Sequence, residues 1–378
     1  MKNIKVKKLR IVFLDFDDIK NPLLGAGQAR ATVEVGSRLA LSGHRIKVIC
    51  SRYPGYKDRI ENGIEYKHIG LGSKNIRLNN IFYILSVPFA VLGIKDADVI
   101  IECFTAPIST LFSPLFTKIP VIGLPSMFNA KEFSKKYHLP LYLIEKFGMK
   151  FYRYMLPYSE VDNAKAKRLN PKIITKIVPQ GVGREYFLIK QEKPKYILFL
   201  SRLDVAQKGI DLLLQSYAKI ANQTEYNLII AGHGPDEEKI KNMIIDLELS
   251  EKVKMYGSAY GMKKFKLMSE ALFVAFPSRH DEMCLWALEA LAGGLPLIGF
   301  DIPESEWLSE KISLKAKPFD INDYAQTLLK ATNPKIINPM RKNARIITGK
   351  YTWEKVIKEF EDFMNIVVAK EKEKINGK

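Results

Sequence analysis

The sequence predicts an α/β protein built from two doubly wound domains. Three observations carry this reading: a length of 378 residues, apolar runs alternating with helical patterns from end to end, and a polar, proline-containing break in mid-chain. A typical domain holds roughly 150 residues, so the length favours two cores over one. Strand and helix in alternation favour parallel sheets covered by helices.

The first series opens with LRIVFLDF (9–16), enters a helix near 29–42, and continues through RIKVIC, ADVIIEC and PVIGL. The second begins at YILFLS (196–201) and runs through GIDLLLQSYAKI, YNLIIAG, DEEKIKNMIIDLEL, VKMYG, ALFVAF, a helix near 285–292, and PLIGF. LIKQEKPK (188–195), after the strand-like TKIVPQG, reads as the connection. The expected organisation is a first domain over 1–188, a linker over 189–195, a second domain over 196–350 and a terminal helix with a charged tail over 351–378. TWEKVIKEFEDFMNIVVAK has apolar residues at helical spacing, and the tail EKEKINGK is expected to fray.

The hydrophobic fraction of 47% and charged fraction of 26% suit a soluble globular chain and exclude wholesale disorder and collagen-like repetition. Fifty-nine Lys and Arg against 41 Asp and Glu leave +18, which favours an anionic partner: nucleic acid, an acidic membrane surface or a phosphorylated substrate. Cys50, Cys103 and Cys284 lie far apart, which argues against a disulfide framework or a structural zinc site and points to a reducing, cytoplasmic setting. The N-terminal apolar run is too short for a signal peptide. The uncharged stretch 79–94, of 16 residues, contains Pro88, so no membrane anchor is expected.

The most informative segment is SRHDEMCLWALEALAGG (278–294), which follows the apolar run ALFVAF. A buried strand ending there places the segment at the carboxyl edge of a sheet, where doubly wound folds bind ligands. A helix starting near Cys284 and Leu285 offers free backbone N–H groups and a positive dipole end to a phosphate. Asp281 precedes that seat and Glu289 lies about one turn inside it, so the two acids can flank a diphosphate and hold hydroxyls on either side, as a nucleotide sugar requires. Taken singly, Asp281 also reads as a cap and Glu289 as a solvated helix residue.

In SRLDVAQKG (201–209), Arg202 and Lys208 stand six apart in a loop that can bring both cations onto one anion. Spacing alone also fits two surface charges, with Gly209 permitting a turn. Gly25 and Gly27 after the first strand, and Gly232 and Gly234 around His233 after YNLIIAG, allow close backbone approach to an anion. Asp15 to Asp18 contain an Asp-x-Asp that reads as turn-forming loop acids rather than a metal site. His44 reads as a hydrogen-bonded residue at a strand entry, His280 as a loop residue, and His68 and His138 have no supporting constellation. The stretch 131–176 carries eleven Lys and Arg among aromatics with only four acids, compatible with a helix pair on an acidic membrane, with an aromatic core stripe backed by solvated charge, or with single-stranded nucleic acid.

The chain resembles the retaining glycosyltransferases of family four, which have the GT-B architecture of two facing Rossmann-like domains. SRLDVAQKGIDLLL, LIIAGHGPDEEKI, VKMYGSA and FPSRHDEMCLWALEALAGGLPLIGFD carry the resemblance, in the family's order and spacing, with looser similarity in the first half at the GAG loop, LALSGHRIKV, DADVIIE, PVIGLPS and PYSEVDNAKAKRL. The resemblance implies sugar transfer from a nucleotide donor to a glycan or lipid-linked acceptor, with the anomeric configuration retained and neither metal nor cofactor. It implies that Arg202 and Lys208 hold the diphosphate, Glu289 the ribose and Asp281 the sugar. Backbone at Met283, Cys284 and Leu285 would complete the phosphate seat, Gly27 would approach from the first domain, and the last helix would return to pack on that domain. Three places depart from the family pattern: Asp281 and Glu282 where Glu-Gly is usual, Ser126 in place of a histidine, and Gln180 to Gly183 for Asn-Gly-Val-Asp.

The mechanism implied is same-face attack by the acceptor hydroxyl while the departing diphosphate, neutralised by Arg202, Lys208 and the helix start, takes the proton. The expected setting is cytoplasmic, with peripheral contact at the inner face of the membrane. A noncatalytic partner subunit, a nucleotide-sugar epimerase on the same fold, and a nucleic-acid-binding protein are the competing readings.

Overall fold

The computed structural model describes residues 8–24, 27–126, 128–281 and 283–376, which form two units, one of residues up to Pro179 together with 353–376 and one of Gln180–Thr352. Gly25, Ala26 and Glu282, singled out in the sequence, lie outside the described residues.

In the first unit the chain runs β1 (Arg10–Leu14), α1 (Gly27–Leu41), β2 (Arg45–Ser51), β3 (Arg59–Glu61), β4 (Ile64–Ile69), α2 (Ile76–Gly93), β5 (Val99–Cys103), β6 (Val121–Leu124), α3 (Ala130–Tyr137), α4 (Leu141–Gly148), β7 (Tyr154–Met155), α5 (Glu160–Leu169) and β8 (Ile174–Thr175). The sheet order is β3-β4-β2-β1-β5-β6-β7-β8, parallel except for the β3–β4 hairpin. Its strands β1, β5 and β6 are buried along nearly their whole length because helices cover both faces. Val12, Leu14, Ile100 and Val121 pack with Tyr83, Val87 and Val91 of α2.

The second unit holds α6 (Arg184–Phe187), β9 (Tyr196–Leu200), α7 (Val205–Lys208), α8 (Ile210–Ala218), β10 (Asn227–Ala231), α9 (Glu237–Asp246), β11 (Val253–Gly257), α10 (Gly261–Ser269), β12 (Ala271–Phe276), α11 (Leu285–Ala292), β13 (Leu297–Phe300), β14 (Ser313–Ala316), α12 (Ile321–Ala331) and α13 (Pro334–Thr348). All six strands are parallel, in the order β11-β10-β9-β12-β13-β14. Strand β9 shows the logic: Ile197 and Phe199 enter one core with α8 and α12, while Leu198 and Leu200 enter the other with α11. The last helix, α14 (Trp353–Asn376), belongs to the first unit, where Phe360 stacks near Phe13 at 6.4 Å and Glu361 meets His44 Nε2 at 2.7 Å.

Two boundary expectations are corrected. The units divide at Pro179 and Gln180, not over 189–195, because Val182, Tyr186 and Ile189 are buried in the second core and Val182 N–H donates to Tyr351 O at 2.8 Å. Helix α14 continues into the charged tail as far as Asn376, and Glu371 there accepts from Arg153 and from Tyr154 Oη.

Candidate functional site

Strand β9 has β10 on one side and β12 on the other, so successive connections leave it in opposite directions. Such a switch point opens a crevice beyond the carboxyl ends of the strands. Three loops meet there. Leu203 N–H donates to His233 O at 2.9 Å, Asp236 N–H to Leu203 O at 3.1 Å, and Arg279 N–H to Gln207 O at 2.9 Å. These bonds join the turns after β9, β10 and β12 into one surface. The close approach explains two of the glycines: a Cβ on Gly232, whose φ is +148°, would run into the carbonyl of Ser201, and one on Gly234 into the backbone of Leu203.

Lys208 ends the short helix α7, which Asp204 caps by accepting from Gln207 N–H at 3.1 Å. Its ammonium is ion-paired with Asp281, and Asp281 Oδ2 also accepts from Ser278 Oγ at 2.9 Å. Lys208 and Asp281 are 7% and 8% exposed, so this charge pair is held almost out of water. Arg202 is different: its exposed guanidinium bonds Asp204 Oδ2 and Gln207 Oε1, each at 2.9 Å. The two cations thus make separate contacts: Lys208 has a buried acid within reach and Arg202 has two local acceptors.

Helix α11 starts after Cys284, and no side chain among the described residues caps it. The early N–H groups of an uncapped helix face outward with the positive end of the dipole. Met283 is buried, while Cys284 and Leu285 are half-buried at this start. Burial, followed by the charge of Asp281, raises the Cys284 thiol above its usual range, so it stays protonated. Asp281 does not cap α11. Glu289 is not on a solvated face either: it is 3% exposed and ion-paired with Lys264 of α10.

Four residues that sequence reasoning missed complete the loop cluster. Arg279 forms a two-pronged bond to Asp211, at 2.8 and 2.7 Å, and donates to Val205 O at 2.7 Å, which clamps α7. Trp286 packs on Phe276 at 4.9 Å, lies 5.8 Å from Lys208 Nζ, and has a buried indole N–H with no acceptor among the described residues. Ser278 and Lys264 hold the two acids. Lys264 and Arg279 have partners 25 and 68 residues away, which leaves no spacing signal, and Ser278 lies three residues from Asp281. His233 is exposed, with Nδ1 at 3.2 Å from Ser258 Oγ. Gly27 opens α1 in the first unit, with open space where a Cβ would point.

The first unit contains a buried polar network that the sequence did not disclose. His68, read as isolated, sits between two carboxylates, Nε2 to Asp18 at 2.9 Å and Nδ1 to Asp58 at 3.0 Å. Asp18, Cys50 and His68 have ligand-type atoms within 4.8 Å of one another. Yet Arg59 holds both oxygens of Asp18 at 2.6 and 2.7 Å, and Tyr53 Oη and Lys20 N–H also donate to it. Burial opposes ionisation, but the Arg59 and His68 bonds outweigh it and hold the carboxyl well below its usual range. A cation would have to displace a guanidinium, so these residues do not fit a metal. His44 accepts from Leu9 N–H at 3.0 Å, as its place at a strand entry suggested.

A family model described as glycosyl transferases group 1 matches residues 187–345. An uncharacterized glycosyltransferase of Methanocaldococcus jannaschii is 34% identical over 108 residues, 29% of this chain and 27% of that protein. A GDP-mannose:cellobiosyl-diphosphopolyprenol alpha-mannosyltransferase of Xanthomonas campestris is 28% identical over 132 residues, 34% of this chain and 35% of that protein. The aligned stretches thus span about a quarter to a half of the first curated relatives' lengths. The solved structure of sucrose-phosphate synthase from Thermosynechococcus elongatus superposes with a TM-score of 0.78 over 95% of this chain and 99% of that one, at 16% identity. The chain has the GT-B fold, and residues 187–345 of its second unit match the family model of the group 1 glycosyl transferases.

Proposed function

We propose that this protein transfers a hexose from a nucleotide-sugar donor to a glycan or lipid-linked acceptor, with retention of anomeric configuration and without a metal or cofactor. The observation that carries the reading is the meeting of Lys208, Asp281 and the uncapped start of α11 at the switch point of the second sheet. A diphosphate seated at the N–H groups of Met283, Cys284 and Leu285 lies where Lys208 neutralises it and Asp281 reaches a sugar hydroxyl. The unpartnered indole N–H of Trp286 supports an acceptor-rich ligand. Arg202, exposed and bonded only to its own loop, can swing onto the same oxygens, and Glu289 holds the ribose from inside the helix. Gly232 and Gly234 allow the backbone near the nucleotide.

As the sugar bond breaks, negative charge grows on the departing diphosphate. The helix dipole is oriented in advance for that charge, and Lys208 and Arg202, drawn from Asp281 and from Asp204 and Gln207, add to it and lower the barrier. The acceptor oxygen bonds the anomeric carbon on the face the diphosphate leaves, and its proton passes to a departing phosphate oxygen. Support for a lipid-linked acceptor is the cellobiosyl-diphosphopolyprenol in the name of the Xanthomonas relative. The setting proposed is the cytoplasmic side of a membrane.

The test is incubation of the purified chain with a panel of nucleotide sugars, with and without lipid extract, in the presence of EDTA. Loss of one donor only when acceptor is present, with the product anomer matching the donor by NMR, is the expected result. Donor conversion without acceptor would indicate an epimerase, and binding without turnover a noncatalytic partner; either overturns the reading.

A further inference from the structure

Helix α2 has two faces of unlike use. Asn79, Tyr83, Val87 and Val91 recur every four residues, are fully buried, and fix the helix on β2 and β4; Tyr83 Oη donates to Ile49 O at 3.1 Å. The opposite face presents Leu78, Ile81, Phe82, Leu85, Phe89 and Leu92, between 41% and 76% exposed. No charged residue occurs from 78 to 94. The helix is long and apolar enough to cross a membrane, with a mean hydropathy of 1.4. Its anchored inner stripe instead keeps it on the sheet as an apolar strip about 27 Å long. A strip of this kind, where a solvent-facing helix normally carries charge, marks an interaction surface.

We infer that this face of α2 is the surface by which the protein lies on an anionic lipid bilayer. Charge identifies the occupant. Lys74 and Arg77 stand exposed at one end of the strip and Lys95 at the other, where long cationic side chains reach headgroups while the apolar residues enter the acyl boundary. Asp96, the nearby exposed acid, is paired with Arg10. The strip also continues sideways. The turn 113–115 packs on α2 and exposes Leu115, and next to it Phe112 meets Phe147 of α4 at 6.3 Å. Helix α4 adds exposed Tyr142, Leu143 and Phe147, with Lys146 and Lys150 alongside. Pairing with a second copy would bring like-charged rims together, whereas each cation near an acidic bilayer adds about 1 kcal/mol of attraction.

The surface deepens the proposed use of a lipid-linked acceptor, but binding is measured without donor or acceptor, so the two can fail separately. The full chain is floated with phosphatidylcholine vesicles and with vesicles containing phosphatidylglycerol, at low and high salt. Expected is flotation with the anionic vesicles, weakened by salt, and lost roughly tenfold or more in the Leu85→Glu/Phe89→Glu double variant. Thermal melting of that variant shows that it folds, since both side chains point outward. In a Phe89→Trp variant, indole emission shifts to the blue as anionic vesicles are added. Failure of wild-type chain to float, flotation unchanged by the double variant, or a concentration-dependent dimer that the double variant abolishes would each overturn the inference.

Discussion

The ammonium of Lys208 and the carboxylate of Asp281, 73 residues apart in sequence, form a buried ion pair at the carboxyl edge of the second sheet. Each is the other's main compensation for leaving water. Under the proposed function, a phosphate arriving at α11 would meet a cation already engaged, and binding would redistribute Lys208 between Asp281 and the ligand.

One consequence is that Lys208→Met does more than remove the proposed ligand for diphosphate. It leaves Asp281 buried and unpaired, a loss on the order of 3–5 kcal/mol. The double variant Lys208→Met/Asp281→Leu should recover most of that stability in urea unfolding and remain inactive. Equal stability of single and double variants would contradict the coupling.

Arg202→Ala should behave oppositely. Its side chain is 56% exposed, so unfolding free energy should stay within about 0.5 kcal/mol of wild type. Turnover of the donor should fall about 100-fold if the guanidinium reaches the leaving group. Initial rates at saturating donor, with a urea titration of the same sample, check both halves.

For Glu289→Gln, the size of the side chain is kept and one charge is removed from the pair with Lys264. Nucleotide affinity measured by calorimetry should weaken about 10- to 100-fold if Glu289 binds the ribose, since a lost charged hydrogen bond is worth roughly 1.5–3 kcal/mol. Unchanged affinity would reduce Glu289 to a structural partner of Lys264.

Asp15 offers a pH test in the first unit. Burial is the largest influence and raises its carboxyl from 3.8 to about 6, against opposing bonds from Thr32 and the Asp17 N–H. A raised acid favours the folded state fully below the unfolded value and loses that contribution as pH climbs to about 6. Stability should therefore fall by up to ~3 kcal/mol between pH 4 and 6.5 from this group. Asp15→Asn should flatten that part of the profile and be the more stable form at pH 7.5, read by chemical denaturation.

Backbone crowding gives a further contrast. Gly232→Ala places a methyl group against the Ser201 carbonyl in a backbone conformation unfavourable to L-residues, whereas Gly27→Ala meets open space at a helix start. Thermal melting should drop by several degrees for the first and hold or rise for the second.

Much of this architecture was readable in one dimension because both its signals are local. Apolar runs of four to six residues between helical patterns mark β9, β10, β12 and β13 without any long-range information, and the turn glycines mark where the strands stop. The chain order around 202, 208, 281 and 289 likewise placed the candidate ligands at one sheet edge. The length criterion that dismissed 79–94 as an anchor missed the outer face of α2, because a span test scores composition and not which side of a helix is covered.

Sequence by itself determined the α/β class, the two sheets and the residue types at the carboxyl edge of the second sheet, since helix and strand periodicity and glycine tolerance act over a few neighbours. Only the tertiary structure decided that Lys208 faces Asp281, that Glu289 is held by Lys264, that His68 lies between Asp18 and Asp58, and that 180–195 belongs to the second core. Those pairings join residues brought together by packing, and the energy of burying an apolar segment or a charge depends on its surroundings in space, which no local pattern encodes.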